Sequence, residues 1–209
     1  LPGARGGLMA LPWGRRTYVM GVINLTPDSF SDGGQFDQPQ RALAQARRLV
    51  AEGVDILDLG GQSTRPGAED VGPERELRRL LPALRLIREA IDAGVLRCPA
   101  RGDTPDSRRQ PVISVDTFRA PVAAAALEAG ADWINDVSGG QRDPAMLTRV
   151  AAAACPYVLM HSRGDSSSMD GLTDYGRAGV VAGVREALLA ASDRALAAGV
   201  SPGQLIWNP

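Results

Sequence analysis

Six short apolar runs, each separated from the next by a longer stretch of helical period, constrain this chain more than any other feature. The runs fall at residues 18–24, 54–59, 111–116, 132–137, 156–161 and 204–208, each the length of a strand rather than a helix. Between the first two, Ala42, Leu43, Ala46, Leu49 and Val50 recur every three or four positions, so they share one face of an amphipathic helix that Gly53 can end. Leu77, Leu80, Leu81, Leu84, Ile87 and Ile91 do the same, with Pro73 at the start and Gly94 past the end. Pro82 inside that pattern predicts a kink or a break. Further helices are expected over 119–129, 143–154 and 174–198. Regular β–α alternation predicts parallel strands joined by right-handed crossovers.

The unit also repeats weakly. Glu52-Gly53-Val54-Asp55-Ile56-Leu57-Asp58 echoes Ala129-Gly130-Ala131-Asp132-Trp133-Ile134-Asn135, and Ala198-Gly199-Val200 precedes the last run. Each reads as helix end, glycine cap, then strand. The strand ends carry the second signal. Asn24, Asp58, Asp116, Asn135 with Asp136, His161 and Asn208 all lie at or near the C-terminal end of a run. Together they suggest a shared polar mouth, as at the C-terminal face of a TIM-type (β/α)8 barrel, with about six of the eight βα units in this chain. An open doubly wound sheet would concentrate its ligand contacts at one switch point instead. The expected division is an N-terminal extension over 1–16, a barrel domain over 17–209, and a Pro/Arg/Asp-rich surface insertion over 97–110.

Composition narrows the function. A length of 209 residues suits one domain with a sizeable core. A net charge of −1 and 4% aromatic residues give no basis for nucleic-acid binding. All 23 basic residues are arginine, so a lysine Schiff base and a Walker-type phosphate loop are both excluded. Cys98 and Cys155 make neither a disulfide framework nor a zinc site, and Cys155 reads as a small buried hydrophobe. A reduced cytoplasmic location fits. Arg5, Arg15 and Arg16 with no acid before Asp28 leave a mitochondrial one open. No apolar run approaches the roughly 20 residues of a membrane span. The start at Leu1 fits a piece of a longer chain.

The chemistry concentrates in segments after the strands: GVINLTPDSFSDGG over 21–34, DLGGQSTRPG over 58–67, SVDT over 114–117, NDVSGG over 135–140 and MHSRG over 160–164. They supply backbone N–H groups freed by glycine, hydroxyls, a fixed arginine and carboxylates. Such a mouth suits a ligand with a phosphate end and a flat, donor-rich heterocyclic end.

From about Thr17 to Pro209 the sequence resembles dihydropteroate synthase of the folate pathway, and the first two of those segments are long and particular. The resemblance implies a (β/α)8 barrel that binds Mg2+. It implies condensation of 6-hydroxymethyl-7,8-dihydropterin diphosphate with 4-aminobenzoate, giving dihydropteroate and pyrophosphate. Fusion to other folate-pathway domains and a homodimer are compatible with it. By resemblance Asn24 helps hold Mg2+ and diphosphate. Phe30 and Asp32 belong to a first loop that closes over the site. Thr64, Arg65 and Pro66 belong to a second loop that contacts the diphosphate. Asp116 and Asn135 line the pterin pocket, and Met160 packs on the ring. Asp32, Arg65 and Asp116 are the residues expected to act in catalysis.

Plainer alternatives exist for each. Asn24 is an ordinary turn residue, Asp28 caps the Pro27 turn, Arg65 pairs with Asp70, Asp116 caps a helix before Arg119, and His161 is structural. Gln62 stands where the family often has glutamate, and Ser162 where it often has methionine. Asn208 stands where a pterin-binding aspartate is expected, and the family's later lysine has no counterpart. The expectation is therefore a family member truncated at its C terminus, with little turnover. A noncatalytic pterin-binding fragment, or a barrel that moves methyl groups between folate and a corrinoid, are the alternatives.

Overall fold

A computed structural model describes residues 11, 13–26, 38–63, 68–99, 109–164, 168 and 171–209. All six expected strands form: β1 (Met20–Asn24), β2 (Ile56–Gly60), β3 (Val112–Asp116), β4 (Trp133–Asp136), β5 (Tyr157–Met160) and β6 (Leu205–Asn208). Between them lie α1 (Gln38–Ala51), α2 (Gly72–Asp92), α3 (Ala120–Glu128), α4 (Met146–Ala153) and α5 (Gly179–Ala197). The last helix starts later than its sequence pattern, because a short 3-10 turn over Gly176–Ala178 precedes it. The expected break at Pro82 does not occur. Pro82 lies inside one continuous helix, whose Leu80, Ala83, Leu84, Ile87 and Ile91 are buried along its length. Their burial outweighs one missing backbone hydrogen bond.

Every strand pair is parallel and each strand lies beside its neighbour in sequence, in the order β1-β2-β3-β4-β5-β6. A doubly wound sheet would reverse this order at a switch point. The unreversed winding is that of a TIM-type barrel, here as six of its βα units.

Successive strand residues face opposite sides, and the two sides differ. Ile23, Leu57, Leu59, Ile113, Val115, Ile134, Tyr157 and Leu159 join the helices in one large core. Ile56, Val112, Trp133 and Val158 form a second cluster with Leu11, Tyr18 and Ile206 on the other side, the lumen. Leu11, Trp13 and Arg16, ahead of the barrel boundary expected at residue 17, pack against its N-terminal end. Trp13 stacks on Trp133 with ring centroids 6.1 Å apart, and Arg16 bonds Asp55 at 2.7 Å.

Cys98 and Cys155 are free and buried, and burial pushes the Cys155 thiol up to about 12, so it packs as a hydrophobe. Among the described residues no helix is long and apolar enough to cross a membrane.

Candidate functional site

The lumen face becomes polar toward the strand C-termini, and the register shows how. Its lowest row is apolar: Met20, Ile56 and Val112 lie side by side. The next holds Val22, Asp58, Ser114 and Trp133. The third holds Asn24, Gly60, Asp116, Asn135, Val158 and Ile206. One pleat further, Met160 pairs with Asn208. Five of the expected site residues (Asn24, Asp116, Asn135, Met160 and Asn208) thus share one face at one end of the sheet.

Within these rows Asn135 Nδ2 donates to Asp58 Oδ2 at 3.1 Å. Asp58 Oδ1, Asp116 Oδ1 and Asn135 Oδ1 are buried without a hydrogen-bond partner. Buried polar atoms are normally paired, so three such oxygens on neighbouring strands, with the Ser114 hydroxyl as a neighbouring donor in the Asp58 row, leave room for donors from a ligand. The electrostatics agree. Burial, then the carboxylates of Asp58, Asp136 and Glu76, hold the Asp116 carboxyl well above the usual range. Burial also raises Asp58, with the Ser114 hydroxyl and the Asn135 amide pulling the other way.

Gly60 lies against Asp116, where an added Cβ would make an ordinary contact with its Oδ2 at 3.7 Å. Asp116 is not a helix cap. Helix α3 begins without a side-chain cap, and the Ala120 N–H donates to Asp143 instead. Asp136 is turned the other way from its neighbour Asn135. It accepts from the N–H and hydroxyl of Ser138, the N–H of Gly140 and the hydroxyl of Tyr157, so it braces the β4 loop rather than lining the lumen.

Beyond the strand ends lies a pocket of about 390 Å³, lined among others by Phe118, Arg142, Met160, His161, Arg163 and Tyr175. Arg119 and Arg142 each stack 4.4 Å from the Phe118 ring. His161 meets the Tyr175 hydroxyl through Nε2 at 2.9 Å, and its backbone N–H donates to the Asn208 carbonyl at 2.8 Å. Burial, then Arg163, lower its pKa.

Gln62 fastens the β2 loop: its amide Nε2 donates to the carbonyls of Ser63 and Glu69, and Oε1 accepts from the Val71 N–H. Asp70 pairs with Arg119, which also holds the buried Glu76. Phe30, Asp32, Thr64, Arg65 and Pro66, with Asp28, lie outside the described residues. Sequence reasoning placed Asp58 in the shared polar mouth without a partner, and gave no role to Arg119, Arg142 or Tyr175. No pattern in the sequence pointed to those last three.

Comparison with known proteins places this architecture. The sequence profile described as "Pterin binding enzyme" matches residues 20–97 and 102–209. A dihydropteroate synthase of Synechocystis sp. is 43% identical over 203 residues, 97% of this chain and 63% of that protein. A mitochondrial folate synthesis bifunctional protein of Pisum sativum is 46% identical over 159 residues, 76% of this chain and 28% of that protein. A solved dihydropteroate synthase of Xanthomonas albilineans with 4-aminobenzoic acid superposes with a TM-score of 0.75 at 38% identity, covering 93% of this chain and 62% of that one. One from Clostridium difficile, solved in the presence of pteroic acid, gives 0.78 at 32% identity, covering 95% and 66%. This chain therefore spans just under two thirds of the length of such synthases.

Proposed function

The chain belongs to the pterin-binding enzyme family, and we propose that it acts as a dihydropteroate synthase or as the pterin-binding part of one. The reaction joins the methylene carbon of 6-hydroxymethyl-7,8-dihydropterin diphosphate to the amine nitrogen of 4-aminobenzoate and releases pyrophosphate. One observation carries the reading. Three bare, buried oxygens of Asp58, Asp116 and Asn135 stand on adjacent strand ends of a parallel sheet, an arrangement complementary to a ring edge of N–H donors.

In the proposed chemistry the pterin edge donates to these oxygens while Met160 packs on the ring, and Asn208 supplies a further polar contact. The C–O bond to the diphosphate breaks with its electron pair leaving on pyrophosphate. The electron-rich ring stabilises the carbon left behind, and the carboxylates of the lumen favour that positive charge. The neutral arylamine then forms the new C–N bond and loses its proton to solvent. Thr64 and Arg65 would hold the departing phosphates, since a guanidinium grips two oxygens in parallel. Pro66 shapes that loop, and Phe30 and Asp32 would help close the site against water.

Mg2+ fits the donor set at the rim. Among the described residues no group of three acidic, histidine or cysteine side chains gathers to hold a metal, whereas Asn24 ends β1 in the Asp116 row with its side chain exposed. One hard amide oxygen, with diphosphate oxygens and water for the rest, is a common Mg2+ environment. When bound, the ion would neutralise charge developing on the leaving group. Reduced intracellular thiols and fusion to other folate-pathway activities belong to the same proposal, the latter supported by the bifunctional relative.

The test is calorimetry of the 209-residue chain with the pterin diphosphate and Mg2+, followed by 4-aminobenzoate and measurement of pyrophosphate. Pterin binding is expected, with little turnover, because the chain spans under two thirds of its relatives and contains no lysine. Failure to bind the pterin overturns the function. Robust turnover overturns only the expectation of low activity.

A further inference from the structure

We infer that Asp58 is a positioning residue that fixes which pole of the Asn135 amide faces the ligand, and so selects an amino-substituted ring over an oxo-substituted one. The inference rests on the pterin reading above and adds a residue to it. An amide side chain has two faces of opposite hydrogen-bonding sense, and nothing in its own shape decides between them. Here the decision is external. Asp58 lies one row below Asn135 on the lumen face, with Ser114 between their strands, and its Oδ2 takes the Asn135 Nδ2 at 3.1 Å in a buried contact. An ionised carboxylate only accepts, so the NH2 is committed to Asp58. The opposite pole, Asn135 Oδ1, is left buried and bare.

The consequence lies in the pattern along the row. Asn135 Oδ1 is an acceptor, and Asp116 Oδ1 and Asp58 Oδ1 are acceptors when their carboxyls are ionised; all three lack a partner. Adjacent donors on a ring, such as an exocyclic amine beside a ring N–H, satisfy them together. A carbonyl at the amine's position would face an acceptor with no donor between them. Reversing the Asn135 amide would remove that conflict, and Asp58 prevents the reversal. Asparagine at position 58 could donate as well as accept, so the Asn135 amide would then be free to adopt either orientation.

The test compares binding of 6-hydroxymethylpterin with its 2-oxo analogue, 6-hydroxymethyllumazine, by the 209-residue chain and its Asp58→Asn variant. The wild type should prefer the pterin. The near-isosteric variant should lose about tenfold or more of that preference, the worth of one buried hydrogen bond made or opposed, with an unchanged far-ultraviolet spectrum. A pterin-to-lumazine ratio equal in the two proteins overturns the inference and leaves the pterin reading standing. No pterin binding by the wild type overturns both. A second measurement needs no variant: the Nδ2 protons of Asn135, followed by NMR, should exchange slowly with solvent in the free protein. Fast exchange there also overturns the inference.

Discussion

At the scale of single residues, two aspartates show opposite uses of burial. Asp116 sits among Asp58, Asp136 and Glu76, and burial with those charges raises its carboxyl well above the usual range. A group raised in the folded state contributes stability below its unfolded value, near 3.9, that is lost as pH rises toward the folded one. Asp116→Asn removes this loss. The variant should therefore unfold at higher urea than wild type at neutral pH, yet bind pterin about a hundredfold more weakly, since an amide replaces an acceptor facing the ligand. Urea titrations at pH 4 and 7 check the first, and calorimetry checks the second. Asp55 works the other way. Burial alone would raise it, but Arg16, the Val19 N–H and Arg109 lower it overall. Its stabilisation is present above the ordinary carboxylate value and lost as pH falls toward the folded one. Asp55→Asn should cost about 1–3 kcal/mol at pH 7 and flatten the acid side of the stability curve, as read from urea midpoints between pH 3 and 7. Asn24, Asp116 and Asn135 were legible because strand ends are local features of sequence. The Asp58–Asn135 contact was not, since it joins positions 77 residues apart and depends on the register of three strands.

At the scale of elements, the weak internal echo has a physical basis. Gly53 and Gly130, each just past a helix, have φ of +100° and +103°, which side chains with a Cβ rarely adopt. The aspartate two residues on is the same device in both copies. Asp55 accepts the Val19 N–H beside β1 and the Arg16 guanidinium. Asp132 accepts the Ile113 N–H of β3 and the Arg88 guanidinium at 2.6 Å. Each copy thus fastens a strand to its predecessor while the glycine lets the chain turn into it. Gly130→Ala meets both costs at once, because its Cβ would lie 3.0 Å from Arg88 Cγ at an unfavourable φ. A loss of about 1–3 kcal/mol is expected, measured by chemical denaturation, with Arg88→Ala reducing the steric part in a double-mutant cycle. The strands and helices were readable because their apolar periods match their burial. Pro82 misled for a related reason: proline chemistry is local, while the buried stripe that carries α2 through it belongs to the packed sheet.

At the scale of the whole molecule, the sheet has two ends. β1 pairs only with β2 and β6 only with β5 among the described residues. The six runs of the sequence predicted this geometry, since a barrel lacking two strands leaves two sheet edges open and part of its core exposed. On the lumen face Met20 is 36% and Val22 51% exposed, beside the buried second cluster. Leu11 and Trp13 pack at the N-terminal end, and among the described residues the exposed large apolar side chains of the strands on the lumen face are these two of β1. That strand, MGVIN, carries no charge to discourage another strand from pairing with it. An uncharged edge strand beside exposed valine is a template for association. The 209-residue chain should therefore show a mass that rises with concentration in light scattering, and Val22→Lys should suppress the rise. Because Val22 is already half exposed, that substitution forfeits little burial, and the thermal midpoint should move by no more than about 2 °C. A constant monomer mass across the concentration range would show that the β1 edge does not drive association, and equal association by the variant would place the contact on another surface.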